Sequence, residues 1–291
     1  MKHHFGDLLD RDGDYWTIVP NRERYAYQIA DVPDGSTEIT VATIGSGDDC
    51  WRKVFTFPQL EELTLHEPSP EQLLAIADLP RLKRLRLTHA RPKDIEFIRS
   101  LQNLEEVVLE YVSGFEDLSP LRSLTHLKSL HLENLRRVKD FSGLSGINSL
   151  RYLSIDGTLD WKQPIADFEF LRGLPNLEVL AFGQIISKAI FPAMLPALTL
   201  QKLQRLRLSW SMLATEEYAL LEVGLPDVKG TQWGPFTRFP FGASVQWFEF
   251  TGKGAGRAKC GLAASDLKCA EVTKKYELLK KDAARVISKH A

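Results

Sequence analysis

The residues that could carry out chemistry are few, and they lie near the C-terminus. The stretch from Gly252 to Arg257 reads GKGAGR, and a glycine-rich loop with Lys and Arg before a helix can bind phosphate through backbone N–H groups. It matches neither the P-loop nor the dinucleotide-binding pattern, so a flexible linker is the simpler interpretation. Cys260 and Cys269 lie beside several lysines, which could lower the pKa of a thiol.

No group of residues indicates a catalytic centre. The seven histidines are scattered, and the three cysteines, of which Cys50 is the first, stand at no metal-binding spacing. We therefore predict a non-enzymatic protein without cofactor or metal. The alternative is an enzyme that uses the glycine-rich loop or Cys260.

Composition and charge limit the possible partners and location. The formal net charge is −1, which does not indicate binding to nucleic acid or to an anionic membrane. Ten basic and four acidic residues follow position 250, and we interpret them as the solvated face of a helix. The N-terminus lacks a signal-peptide pattern, and no window approaches the ~18 apolar residues of a membrane span. Because an odd number of cysteines is typical of a reducing compartment, we expect a cytoplasmic monomer.

A repeated leucine pattern organises most of the chain. In its clearest copy, apolar residues fall three apart from Leu73 to Leu85, which predicts a tight helical turn. The interval then shortens to two at Leu87, which predicts a strand. The strand motif begins again at steps of 22 to 27 residues, with a degenerate last copy at Val228 and a possible earlier copy at Val41. The seven clear copies begin at Leu60, Leu82, Leu104, Leu127, Leu150, Leu177 and Leu203.

This pattern resembles the leucine-rich-repeat family over about residues 51–233, and the step is most similar to that of internalins and phosphatase regulators. The resemblance implies a right-handed α/β solenoid with a parallel concave sheet, short helices or 3₁₀ turns on the convex side, and a cap at each end. The family usually has Asn at the ninth motif position, where it binds backbone groups in the turn. We expect these turns to close differently, because the positions hold Pro68, Ala90, Val112, Leu135, Thr158, Ile185 and Ser211.

The repeats divide the chain into three predicted parts: an N-terminal cap (1–50), the repeats (51–233) and a C-terminal cap with an amphipathic helix (234–291). In the first part, we expect a hairpin of the β-prone runs 15–19 and 25–29, followed by a strand at 39–44. The C-terminal helix, roughly 265–288, has one apolar stripe. We expect the stripe to pack on the end of the solenoid; the alternative is pairing with a partner helix. Its predicted contacts are Val272, Tyr276, Leu279 and Val286.

The concave sheet is the candidate binding surface. Equivalent positions of neighbouring repeats lie about 4.8 Å apart in a parallel sheet, so three acids stack in one row, and like charges stacked in this way are unfavourable. Arg84 and Arg86 lie between strands that carry Glu62 and Glu106, and we expect pairing among these four. Two further arginines have no acid in their rows and precede a tryptophan, and Arg and Trp are enriched in interface hot spots. The predicted partner-binding residues are Glu110, Glu133 and Asp156, then Arg205, Arg207 and Trp210, with His131 and Tyr152.

These observations favour a protein-interaction module that binds a protein partner on its concave face. In a bacterium, such a module could be an immunity or regulatory partner of a basic toxin or enzyme. A translocated effector is the alternative role.

Overall fold

The structure is a computed structural model that describes residues 9–12, 15–18, 29–241 and 245–290. Its strands in chain order are β1 (Leu9–Asp12), β2 (Tyr15–Ile18), β3 (Val41–Gly45), β4 (Glu62–His66), β5 (Arg84–Thr88), β6 (Glu106–Glu110), β7 (Ser129–Glu133), β8 (Tyr152–Asp156), β9 (Gln163–Ile165), β10 (Val179–Phe182), β11 (Ile185–Ser187), β12 (Arg205–Leu208), β13 (Phe236–Phe241), β14 (Val245–Phe250) and β15 (Arg257–Lys259). The α-helices are α1 (Pro70–Ala75), α2 (Thr215–Gly224) and α3 (Ala263–His290).

An eight-stranded parallel sheet forms the centre of the fold. It contains β3 to β8, β10 and β12, and each strand pairs with the strand of the neighbouring repeat. The register aligns equivalent residues of successive repeats, so that Leu63 pairs with Leu85 and Leu85 with Val107. The predicted α/β leucine-rich-repeat architecture is therefore confirmed.

Short 3₁₀ turns cover the opposite side of the core from the sheet. They include Trp51–Thr56, Glu96–Ser100, Ser119–Ser123, Glu169–Gly173 and Leu195–Thr199. The period of three seen in the sequence matches these turns, because a 3₁₀ helix places every third residue on one side. Leu82, Leu85 and Leu87 are fully buried, and the equivalent leucines of the other repeats join them in one continuous core. Each such side chain contributes about 1.5–3 kcal/mol on burial.

Two predictions for the sheet ends need correction. The strand β3 pairs with β4 as one more repeat would, but its core positions are Ile39, Ala42 and Ile44, so this copy begins two residues before the predicted Val41. The degenerate copy predicted at Val228 forms no strand; an isolated bridge between Arg205 and Lys229 is all that continues the sheet there.

The predicted N-terminal hairpin lies partly outside the described residues. The strand β2 forms as expected, but it pairs antiparallel with β1. Of its predicted partner, 25–29, residues 25–28 lie outside the described residues, and Ile29 begins a 3₁₀ turn. β-propensity is a weak guide to pairing, and the tighter connection between β1 and β2 was not evident from it.

Buried side chains close several turns where the family has Asn. The amide of Gln163 is fully buried: its oxygen accepts from the Leu135 N–H (2.9 Å), and its nitrogen donates to the Val138 carbonyl (2.7 Å) and the Leu135 carbonyl (3.3 Å). The side chain of Gln72 donates to the Gly45 carbonyl (2.7 Å). The expectation that these turns close differently is thus correct for these repeats.

Glu217 has a similar role near the C-terminal end of the solenoid. It is buried on α2, and its carboxylate accepts from the N–H groups of Ala193 (2.8 Å) and Met194 (3.0 Å). Burial raises the pKa of this carboxyl, while the two N–H donors oppose the rise. The helix α2 is thereby fixed to the loop after β11.

The helix α3 packs against α2 and against the sheet of β13, β14 and β15. Tyr276 and Ala283 are buried in the main core, and Leu279 and Val286 pack against it. The predicted docking of the stripe is therefore confirmed for three of its four residues. Val272 instead packs in a second cluster with Phe248 and Phe250 of β14.

Candidate functional site: the concave face of the sheet

Three parallel rows of side chains cover the face of the sheet opposite the leucine core. The first row includes Glu62, Arg84, Glu106, Ser129, Tyr152, Val179 and Arg205. The middle row includes Arg86, Val108, His131, Ser154, Ala181 and Arg207. The last row includes Thr88, Glu110, Glu133 and Asp156. The predicted acidic row is therefore real as a geometric arrangement.

Arg84 forms the ion pairs that the sequence predicts. Its guanidinium contacts the carboxylate of Glu62, and its Nε lies 3.2 Å from the Oε2 of Glu106. Both acids are buried. This part of the face therefore has its charges compensated internally.

Arg86 forms a buried ion pair with Glu110, a partner that the sequence does not predict. It is 1% exposed, and its guanidinium binds both carboxylate oxygens of Glu110, with Nη2–Oε1 at 2.7 Å and Nε–Oε2 at 3.2 Å. A long side chain on the middle row can reach the last row of the next strand, which sequence position alone does not reveal. The prediction of three uncompensated stacked acids is wrong for Glu110.

The other two acids of the row also have local partners. Glu133 Oε2 lies 3.4 Å from His131 Nε2. The Asp156 carboxylate accepts from the Gln184 N–H. Burial raises the pKa of the Asp156 carboxyl, and the Gln184 N–H opposes the rise.

A pocket of about 200 Å³ lies on the concave face between β7 and β12. It brings together four of the eight predicted residues: His131, Tyr152, Asp156 and Arg207. Most concave side chains on β4 to β7 are buried, whereas those of Tyr152, Asp156 and Arg207 are half-buried. The pocket therefore presents accessible charged and aromatic groups of this face.

The pocket also includes small residues that sequence reasoning missed. Ser154 and Ala181 belong to the middle row beside Arg207 and leave space for the pocket. A Cβ on Gly183 would lie 2.0 Å from the Asp156 carboxylate, so glycine is needed there for that side chain to fit. The alternation of side chains along β8 and β10 could have placed Ser154 and Ala181 on the concave face, since both alternate with core residues.

Arg205 and Arg207 pair in register with Val179 and Ala181, as the sequence predicts. Trp210 lies beyond the end of β12 and not on the strand. Its ring centroid is 6.3 Å from that of Phe239 on β13. It therefore contacts the C-terminal sheet, and the structure does not bring it into the pocket with Arg207.

Part of the glycine-rich loop, and Cys269, have structural contacts. The Gly252 N–H donates to the Trp210 carbonyl and the Lys253 N–H to the Leu213 carbonyl, both at 2.6 Å. These two amides are therefore not free to bind phosphate. Burial raises the pKa of the Cys269 thiol, which is the opposite of activation.

Among the described residues, one group could hold a metal ion. Glu110, His131 and Glu133 each offer a ligand atom within 4.8 Å of the others. The pairing of Glu110 with Arg86 already compensates one of these charges. In the same part of the chain, no helix has both the length and the apolar character that crossing a membrane requires.

Comparison with known proteins gives similarity in structure only. No protein-family model and no curated protein matches the sequence. An internalin from Listeria monocytogenes is 19% identical and has a TM-score of 0.46; the match covers 67% of this chain and 61% of that one. A leucine-rich-repeat protein from Leptospira interrogans is 16% identical, with a TM-score of 0.37 and coverage of 67% and 60%. The mouse RP105/MD-1 complex is 17% identical, with a TM-score of 0.49 and coverage of 72% and 37%.

The chain's own geometry establishes its fold. Leucines recur at the steps expected of repeats, the strands pair in parallel in the order of the chain, and 3₁₀ turns connect them on the other side of the core. The protein is a leucine-rich-repeat solenoid of the α/β class.

Proposed function

We propose that the protein is a non-enzymatic interaction module that binds a protein partner at the concave pocket between β7 and β12. The observation that supports this proposal is the pocket itself, where Tyr152, Asp156 and Arg207 are accessible while most polar groups of the neighbouring strands are buried. An aromatic ring beside an arginine is typical of interface hot spots.

The charges of the pocket suit a partner with groups of both signs. Arg207 and the nearby Arg205 favour a carboxylate, which a guanidinium binds in a bidentate manner. Asp156, with Glu133 beside it just outside the pocket, favours a Lys or Arg of the partner. A regulatory or immunity role agrees with such a surface, and a translocated effector is the alternative.

Site-specific cross-linking tests where the partner binds. A photoreactive amino acid at Tyr152 should capture the partner from host extract, whereas the same group at the exposed Gln102, outside the concave face, should not. Capture from position 102 alone would place the partner elsewhere and contradict the proposal.

Substitution of the two arginines then tests whether they contribute to binding of the captured partner. Arg207→Ala and Arg205→Ala together should weaken binding at least about tenfold, since a hot-spot arginine contributes ~2 kcal/mol or more. The melting temperature should hardly change, because both side chains are only half-buried. Wild-type affinity in the double variant would show that the arginines are not part of the site.

We further propose that the protein is a monomer with free thiols in a reducing, cytoplasmic environment. The stripe of α3 is occupied by the main core at Tyr276 and Ala283, and all three cysteines are free. Deletion from Ser265 onward should therefore lower the melting temperature strongly. Unchanged melting with loss of a dimer in sedimentation would instead support pairing of α3 with a partner helix.

A further inference from the structure

A second surface of the solenoid carries features that the concave pocket does not explain. At the end of four successive strands, the next residue has a left-handed backbone: Glu67 (φ 48°), His89 (55°), Tyr111 (54°) and Asn134 (55°). This conformation costs a non-glycine residue roughly 1–2 kcal/mol, and it concentrates at functional sites. Four side chains are therefore retained where glycine would be less strained.

A regular hydrogen-bond ladder holds these four residues in a column. Each backbone N–H donates to the carbonyl of the last strand residue in the next repeat, at 2.9–3.0 Å. The rings of His89 and Tyr111 stack in parallel, with centroids 4.7 Å apart and planes 4° apart. The column therefore presents a continuous edge of side chains, which we call the strand-end column.

Two residues after His89, Tyr111 and Asn134, a second set of side chains lies beside the strand-end column. Between the two sets lies an open groove of about 310 Å³, lined on its second side by Arg91, Ser113 and Arg136. Both arginines are exposed. Within the described part of the chain, neither forms an ion pair. The groove therefore offers two guanidinium groups on one side and a stacked pair of rings on the other.

The groove also contains a buried polar group without a partner. Asn134 is 2% exposed and lines the groove, and its Oδ1 has no hydrogen-bond partner. A buried acceptor left unsatisfied costs roughly 1–3 kcal/mol, so an occupant with an N–H or O–H donor would relieve that cost. This observation is independent of the charges and also points to a ligand.

We propose that this groove binds an extended acidic segment of a protein, with a backbone N–H of the segment donating to Asn134 and two carboxylates pairing with Arg91 and Arg136. The arginines are two repeats apart, about 10 Å at the strand spacing of ~4.8 Å. A segment in the extended polyproline-II conformation covers that distance in three residues at ~3.1 Å each, and its three residues per turn place side chains i and i+3 on the same side. The segment therefore carries two acidic residues separated by two others.

The negative charge of Glu67 indicates where the acidic residues of the bound segment lie. Glu67 lies at one end of the lining, where it repels a carboxylate. The acidic side chains consequently lie between Arg91 and Arg136, away from Glu67. Removal of the Glu67 charge should strengthen binding of the acidic segment.

Fluorescence anisotropy with labelled peptides tests the proposal on the full-length chain at low ionic strength. The probes are alanine-based peptides with two glutamates separated by zero to five residues, and the same peptides with glutamine. Binding should be tightest at two intervening residues and absent with glutamine. Equal binding at all spacings, or none, would overturn the proposal.

Variants connect that binding to the groove. Arg91→Gln and Arg136→Gln should each weaken it about tenfold, as expected for a charge-assisted hydrogen bond. Asn134→Gly keeps the left-handed backbone accessible and should weaken it severalfold, whereas Glu67→Gln should strengthen it. The matched control is Arg137→Gln, since Arg137 is exposed but does not line the groove. Equal loss in this control would show that general charge, and not the groove, accounts for the binding.

Two further arms of the experiment distinguish an acidic peptide from a nucleic acid, and this groove from the concave pocket. If a single-stranded oligonucleotide bound through Arg91 and Arg136 and the peptides did not, the ligand of the groove would be a nucleic acid. That result would overturn the assignment. The Arg205→Ala, Arg207→Ala double variant should bind the peptide as the wild type does. Failure of the concave-face proposal therefore leaves this result unaffected.

Discussion

Replacement of Gln163 by leucine should strongly destabilise the middle of the solenoid. The change leaves the Leu135 N–H and the Val138 carbonyl buried without partners, at ~1–3 kcal/mol each. Burial of the apolar side chain offsets about 1 kcal/mol of that loss. We therefore expect the free energy of unfolding to fall by roughly 1–5 kcal/mol, centred near 3, which is a large share of a typical total of ~5–15 kcal/mol.

Urea unfolding measured by circular dichroism, together with hydrogen exchange, tests this expectation. Repeats contact only their neighbours, so local opening can precede global unfolding, and exchange at Leu135 and nearby amides should accelerate most. Gln102→Leu is the matched control, because Gln102 is exposed and its replacement should change stability by less than ~0.5 kcal/mol. A loss below about 1 kcal/mol with unchanged exchange at Leu135 would refute the role we assign to the amide.

Gln163→Glu adds a pH dependence with a defined sign. Only the protonated carboxyl can donate to the Val138 carbonyl, and burial favours the neutral form, so the pKa in the folded state is raised above the unfolded value of ~4.3. The contribution to stability is then complete below that value and disappears as the pH rises through the folded pKa. The deficit relative to wild type should therefore be smallest near pH 4 and grow toward pH 7.

Three other predictions concern buried charge and backbone space. Arg86→Leu should cost about 3–5 kcal/mol because it leaves Glu110 buried without its guanidinium, and a double replacement with Glu110→Leu should recover much of that loss in urea unfolding. Gly114→Ala should lower the melting temperature more than Gly146→Ala: both have positive φ, but only at Gly114 would a Cβ lie 2.2 Å from the Pro92 carbonyl oxygen. Burial raises the pKa of Glu217 above 4.5, so wild-type stability relative to Glu217→Gln should fall as the pH rises from about 4.5 toward neutrality, and a constant difference across that range would argue against a buried carboxyl.

The leucine pattern was sufficient to predict the sheet and the orientation of its strands. Since side chains alternate along a strand, the burial of Leu130 and Leu132 places His131 on the other face, and the repeat step aligns Glu133 with Asp156. These residues lie where the sequence predicts. The pocket around them follows from that alignment together with the small residues beside it.

The remaining features depend on contacts between residues far apart in the chain. Arg86 reaches Glu110 on the last row, although Glu106 lies nearer to it in the chain and in the predicted pairing. The partner of Gln163 is 28 residues away, which no local pattern identifies. No glycine signals the left-handed backbone at Tyr111, whose N–H bonds to the carbonyl of Glu133 in the next repeat.

The order of the strands has a consequence for synthesis of the protein. Each strand needs only the preceding repeat to complete its pairing, and paired residues such as Leu63 and Leu85 are only 22 positions apart. A repeat can therefore dock soon after it leaves the ribosome, whereas α2 stays uncovered until α3, which follows it in the chain, has been made. Until then the growing edge exposes apolar surface, so we expect stalled or truncated chains to be the main targets of chaperones and proteases.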